Sequence, residues 1–287
     1  MHSARDCVKA AKLGATMHCV EPSPTNFQRV MSGIQREFKK ISKENVPKPR
    51  INLYNVAAGS TSGGMLEFTS VGSTGDHVGT VDMWKMEESK QEDTTAENTS
   101  VVHVKSVRMD DIIQRKVDSS WTSIPEGSAS PFNSIFMIKV DTQGFEPTVF
   151  SGLTESLNNH QIQFILFEYW PKGMDLMAGS DTKCDTVLNL FKKLLEAGYT
   201  LHATNGESHP AGNNKEIRGL LKSKTERPFN NLRQNCMWFY ELEERFPIDG
   251  YKMGYWSDIL AVAPNADLPK PTTKVGHILK NDILYRK

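Results

Sequence analysis

Between positions 3 and 14, Ala4, Cys7, Val8 and Ala11 stand at i, i+3, i+4 and i+7, which predicts a short helix that Gly14 stops. A mainly apolar run, Thr16 to Val20, follows as a strand and ends at Glu21-Pro22. Pro24-Thr-Asn-Phe27 opens a second helix, whose apolar positions include Phe27, Val30, Met31, Ile34 and Phe38. Ile51 to Val56 reads as a strand, 59–64 as a turn, 65–69 as a further strand and 101–107 as another, with a short helical turn over 108–113. Ile135 to Val140 is a continuous apolar run broken only by Lys139, as suits a strand buried on both faces. Asp141 marks its end, Gly144 allows a sharp turn, and Glu146-Pro147 can open a helix. Ile162 to Phe167 repeats the form and ends at Glu168. Val187, Leu190, Phe191, Leu194 and Leu195 give one face of a helix over 183–197, and 199–203, 236–240 and 257–263 are the remaining strand candidates.

Strands alternating with helices predict an α/β architecture, in which ligands bind beyond the carboxyl ends of the strands. Three of the predicted strands end in a carboxylate: Glu21, Asp141 and Glu168. If they are parallel neighbours, the three acids line one edge of the sheet and need cationic or hydroxyl-bearing partners. Lys139, alternating against its strand neighbours, is a candidate to neutralise Asp141 or Glu168. Each acid also has a plainer use: Asp141 can satisfy amides at its turn, Glu146 can cap the helix it opens, and Glu21 can cap the helix after Pro22.

At 287 residues the length suits one large domain with insertions. The expected division is a domain over 1–264, with polar insertions at about 85–100 and 205–234, and a tail over 265–287. Lys and Arg total 34 and so do Asp and Glu, so the net charge of zero offers no electrostatic argument for nucleic acid or an anionic membrane. No long apolar stretch marks a membrane segment. Cys7, Cys19, Cys184 and Cys236 are scattered, without C-x-x-C or histidine at zinc spacing; they read as reduced thiols, and no metal site is expected.

The segments Val20-Glu-Pro-Ser-Pro-Thr-Asn-Phe27, Asn55-Val-Ala-Ala-Gly59 and Ile138-Lys-Val-Asp-Thr-Gln-Gly-Phe-Glu146 together resemble the FkbM family of S-adenosylmethionine-dependent methyltransferases. The resemblance runs in order from about Ser3 to about Val262. It implies a Rossmann-like methyltransferase sheet with helices on both faces, S-adenosylmethionine as cofactor, and methylation of a hydroxyl on a small molecule or glycan. Under it, Glu21 with Pro22 holds the ribose, Asn55 and Ala57 flank the adenine, and Asp141 lies where cofactor and acceptor meet. Asp141, Glu168 and His77, the last in the Gly-rich stretch 72–79, are then the catalytic candidates. Tyr169 and Trp170 either shape the acceptor pocket or close the sheet end.

The chain departs from the family at its start. The resemblance implies a first strand and a glycine-rich loop ahead of the helix at 3–14, and both are missing. That strand is expected between those of 16–21 and 135–140, so its loss should leave two unpaired edges. The rival to an enzyme is a non-catalytic binding protein on the same scaffold, lacking the cofactor loop; a nicotinamide oxidoreductase would share the acid at Glu21 but not the stretch around Asp141. The compartment is open, cytoplasmic by default.

Overall fold

A computed structural model describes residues 4–41, 50–70, 77–78, 100–116, 134–203, 231–246, 254–267 and 283–285. The polar segment 85–99, residues 205–230 and most of the tail after 264 lie outside the described residues. The architecture is mixed α/β, and the chain divides into two compact units, with described residues 4–116 (less the breaks) in the first and 134–285 in the second.

In the first unit, helix α1 (Ala4–Lys12) turns Cys7, Val8 and Ala11 inward, as their spacing requires, and Gly14 ends it at φ 94°. Strands β1 (Thr16–Val20) and β2 (Arg50–Tyr54) pair in parallel, with His18 opposite Asn52 and Val20 opposite Tyr54. Helix α2 (Pro24–Ile41) joins them, and its Val30 and Ile34 share a core with Cys7, Val8, Cys19 and Leu53. The parallel pairing follows from that crossover, since a helix between strands returns the chain to run the same way. Strands β3 (Ala57–Gly59), β4 (Met65–Ser70), β5 (His77–Val78) and β6 (Ser100–Arg108) form a second sheet in the order β3-β6-β4-β5. Alternation along β4 and β6 buries Phe68 and Val104, leaves Met65 and Val101 exposed, and brings His103 Nε2 to 4.0 Å from Glu67 across the ladder. Helix α3 (Met109–Ile113) follows directly on β6.

The second unit is built on a five-stranded sheet. In chain order its elements are β7 (Ile135–Val140), α4 (Glu146–Ser151), α5 (Thr154–Asn158), β8 (Ile162–Tyr169), α6 (Pro171–Met177), α7 (Asp185–Glu196), β9 (Thr200–Ala203), α8 (Leu232–Arg245), β10 (Ser257–Val262) and β11 (Ile283–Tyr285). Their order across the sheet is β11-β9-β10-β8-β7, with β7 and β8 parallel and the other pairings antiparallel. Phe167 of β8 meets Phe150 of α4 and Phe191 of α7 edge-on, at centroid distances of 5.1 and 6.4 Å, and Tyr169 meets Phe239 of α8 at 4.9 Å. Among the described residues β1 pairs only with β2 and β7 only with β8, and β7 carries Phe136 at 65% and Met137 at 44% exposure.

Three expectations are corrected. The strand Ile135–Val140 is not buried on both faces, since it ends the described sheet with Phe136 and Met137 exposed. Residues 236–240 are not a strand but the middle of α8, and Leu232–Gln234 begin that helix instead of ending a loop. The β-prone run Cys-Met-Trp-Phe-Tyr is overridden because Asn231 caps the helix, accepting from the N–H groups of Arg233 (2.8 Å) and Gln234 (3.3 Å). Cys236, Phe239 and Tyr240 then fall at helical spacing and bury together. The cysteines are not reduced thiols either. Cys7 is bonded to Cys19, and Cys184 to Cys236, all four buried. Among the described residues, no helix is long and apolar enough to cross a membrane, and no group of three or more His, Cys, Asp or Glu is arranged to hold a metal ion.

Candidate functional site

In the first unit Glu21 follows the last residue of β1 and is 2% exposed. Its own N–H donates to the Tyr54 carbonyl at 3.0 Å, which extends the β1–β2 pairing by one step. The Ser23 N–H donates to Glu21 Oε1 at 3.0 Å, and Ser23 Oγ in turn accepts from the Asn26 N–H at 3.3 Å where α2 starts. Asn55 reaches across from the end of β2: its Nδ2 donates to the carbonyls of Glu21 (2.9 Å) and Pro22 (3.2 Å). The turn bearing the acid is thus tied on both sides, and Asn55 sits beside Glu21 and Pro22. Ala57 is buried beside Phe68 and Val104 at the start of β3. His77 takes its backbone into β5, opposite Thr69, and its side chain is outside the described residues.

In the second unit the carboxylates gather where β7, β8 and β10 meet. Asp141 directly follows β7, and Lys139 Nζ donates to its Oδ2 at 3.0 Å, as the strand alternation anticipated. Gln143 Nε2 donates to Asp141 Oδ1 at 3.3 Å and to Glu168 Oε2 at 3.5 Å. Asp258 of β10 stands directly opposite Glu168 in the antiparallel register. Glu146, the first residue of α4, is fully buried; its Oε1 accepts from the Thr142 N–H (2.7 Å) and Thr142 Oγ1 (3.0 Å), closing the turn that begins at Asp141. Its Oε2 is buried with no hydrogen-bond partner.

Burial and repulsion act together on this cluster. Burial, then the neighbouring Glu146, Asp141 and Asp258, push the Glu168 carboxyl up to about 9, with Lys139 pulling the other way. Burial likewise raises Glu146 to about 7, against its hydrogen bonds from Thr142, and raises Asp258. At neutral pH Glu168 therefore keeps its proton and is a hydrogen-bond donor as well as an acceptor. Asp141, exposed and paired with Lys139, is the acid of this group that opens to solvent. A proton donor and a cation-paired carboxyl bridged by one amide make an arrangement able to grip and deprotonate a hydroxyl.

The aromatic residues after Glu168 are structural. Tyr169 is 1% exposed, and its hydroxyl donates to Asn235 Oδ1 at 3.0 Å; Trp170 is buried against Met177 and Trp256. Gln143 and Asp258 were passed over in the sequence. A glutamine between an acid and a turn glycine was one available signal for the first. The other was Asp258 at the outset of an otherwise apolar strand.

The cofactor that the resemblance implies is S-adenosylmethionine, and the donor set at the end of β1 fits its ribose. Two hydroxyls need a carboxylate acceptor, which Glu21 would supply at a strand end whose turn is already fixed by Asn55 and Ser23. A family model for the methyltransferase FkbM domain matches residues 2–201. No curated protein and no solved structure matches the chain. The matched span covers all of the first unit's described elements and the acid-bearing strands β7 and β8 of the second, and on it the chain belongs to the FkbM methyltransferase family.

Proposed function

We propose that this methyltransferase moves the methyl group of S-adenosylmethionine onto a hydroxyl oxygen of a small molecule or sugar. The observation that carries the reading is the placement of a cation-held carboxylate, Asp141, beside a carboxyl that burial and neighbouring acids push upward, Glu168, at the ends of adjacent parallel strands and bridged by Gln143. When bound, the cofactor supplies a methyl group on a positively charged sulfur. The chain orients the acceptor and handles one proton. Asp141 takes the hydroxyl proton at its carboxylate, and Glu168 donates to a neighbouring oxygen of the acceptor, as vicinal hydroxyls of a polyol would offer. Glu21 accepts from the ribose hydroxyls, with Pro22 and Asn55 holding its turn, and Asn55 and Ala57 flank the adenine.

A Rossmann-like sheet order belongs to the same proposal. The edges of β1 and β7 that lack a neighbour among the described residues support an order with a further strand beside each. Titration of S-adenosylmethionine into the chain by calorimetry, followed by mass spectrometry of a panel of polyols and sugars incubated with both, tests the reading. Cofactor binding with a gain of one methylene mass on a hydroxylated acceptor is the expected result; binding without transfer to any of the panel would favour the non-catalytic scaffold.

A further inference from the structure

Gln143 occupies a backbone state that its own chemistry does not favour. Its φ is 57°, in the left-handed region that glycine enters freely and glutamine rarely does. Its neighbours are held on each side. On one side, Thr142 is locked by two hydrogen bonds to the buried Glu146. On the other, Gly144 (φ 90°) lies so close to α6 that a Cβ added to it would stand 2.6 Å from the Gly173 carbonyl oxygen. Behind, Lys139 holds the second oxygen of Asp141. The turn is thus determined by its neighbours, and a glycine at 143 would fit it with less strain. Strained backbone of this kind persists where the side chain it aims has a use.

What the side chain reaches is the pair Asp141 and Glu168. A primary amide has two N–H donors and no charge, so one nitrogen serves two carboxyls without adding a cation to the site. We propose that Gln143 is the positioning residue of the methyl-transfer site, yoking Asp141 and Glu168 through its single amide nitrogen so that Asp141 faces the reacting hydroxyl of the acceptor and Glu168 its neighbouring oxygen. This rests on the methyltransferase reading above. The bonds of 3.3 and 3.5 Å are long, as catalytic hydrogen bonds often are before a substrate tightens them. The charged and titratable groups around the yoke are Lys139 and Asp141 from the β7 side, Glu146 from α4, Glu168 from β8 and Asp258 from β10. All but Lys139 are acids, so a neutral double donor avoids the repulsion that a fifth carboxyl at 143 would add.

The test is a nuclear magnetic resonance titration of the 287-residue chain, with the side-chain amide of glutamine labelled and the carboxyl carbons of Asp and Glu followed in parallel. The Gln143 Nε2 signals, assigned by their absence in Gln143→Gly, should move with pH and follow both carboxyls. Glu168→Gln should remove one inflection and leave the other, and Asp141→Asn the reverse. Gln143→Gly should melt no lower than the parent chain, because strain is relieved, yet raise the Glu168 midpoint by about half a pH unit through loss of a donor to its charged form. Should that variant fail to fold, Gln143→Asn serves: its shorter side chain tolerates the same φ but cannot span both carboxyls, so only one inflection should survive. Amide signals that stay flat while the carboxyls titrate would overturn the proposal, as would unchanged carboxyl midpoints in the folded Gln143 variant. An amide that tracks both carboxyls in a chain that neither binds S-adenosylmethionine nor transfers a methyl leaves the yoke standing and overturns the methyltransferase reading.

Discussion

In the first unit the acid Glu21 is held by its neighbours along the chain and by an amide fastened to backbone: Ser23 N–H bonds its carboxylate, and Asn55 bonds the carbonyls on either side of the turn. In the second unit Asp141, Glu146, Glu168 and Asp258 come from four elements and are held mainly by one another's partners, Lys139, Thr142 and Gln143. The first arrangement fixes one carboxylate as a steady acceptor. The second sets several acids against each other, which forces some of them to keep protons. A binding acid needs the former environment, and an acid that must trade a proton needs the latter. The crosslinks differ in the same sense. Cys7–Cys19 ties α1 to the strand next to it over 12 residues, whereas Cys184–Cys236 ties the start of α7 to α8 over 52.

Around the longer crosslink the side chains converge. Buried Asp175 of α6 accepts from the N–H groups of Cys184 (2.6 Å) and Thr186 (3.2 Å), so it caps α7 from outside, and from the Tyr240 hydroxyl of α8 (2.6 Å). Burial and Asp175 both push that hydroxyl's pKa upward, so it stays a donor. Arg233–Asp185 (2.5 Å), at the surface, and Lys172–Glu243 (2.6 Å), half-buried, bind α8 to its neighbours.

Replacing the second unit's disulfide by Cys184→Ala and Cys236→Ala should therefore cost more stability than replacing the first unit's, about 4 kcal/mol from loop closure against about 3 kcal/mol for Cys7→Ala with Cys19→Ala. Denaturant melts of the two double variants, read beside the parent chain, test the ranking; equal losses would remove that contrast between the units. Next in size is Asp141→Asn, which should cut methyl transfer about a hundredfold while circular dichroism shows an unchanged fold. Glu21→Gln should instead weaken S-adenosylmethionine about ten- to a hundredfold by calorimetry, with the second unit's titrations unmoved. Should the two variants exchange effects, binding and proton transfer have been assigned to the wrong units.

A pH series sharpens the electrostatic half of the comparison. Glu168 has its pKa raised from 4.5 to about 9, so the folded chain binds one more proton than the unfolded chain between those values. Its contribution is fully favourable below about 4.5 and is lost as pH rises toward 9, at up to about 1.4 kcal/mol per pH unit. Glu168→Gln, which cannot ionise, should flatten the fall in stability between pH 5 and 9. An unaltered slope in urea melts across that range would show that Glu168 ionises as freely folded as unfolded.

Local pattern carried much of this chain. Helices α1, α2 and α7 follow from apolar residues at helical spacing, β7 and β8 from short apolar runs that stop at an acid, and the family from three tripeptide-scale signatures in order. Candidate acids were legible for the same reason, since Glu21, Asp141 and Glu168 each stand where such a run ends. Lys139 was legible as their neutraliser, because two-residue alternation is enough to put it beside Asp141.

Whatever depended on residues far apart was decided by the tertiary structure. Four cysteines allow three pairings as well as none, and only the meeting of α7 with α8, and of α1 with β1, selects two of the bonds. Residues 236–240 have strand-forming side chains, and it is the cap at Asn231 and burial against Tyr169 that make them helix. Asp258 joined the acids because β10 runs antiparallel to β8 in one register, and Gln143 because its neighbours hold it at positive φ. Protonation is the extreme case. The raised pKa of Glu168 arises from burial and from three acids contributed by other segments, so no window of the sequence around it contains the cause.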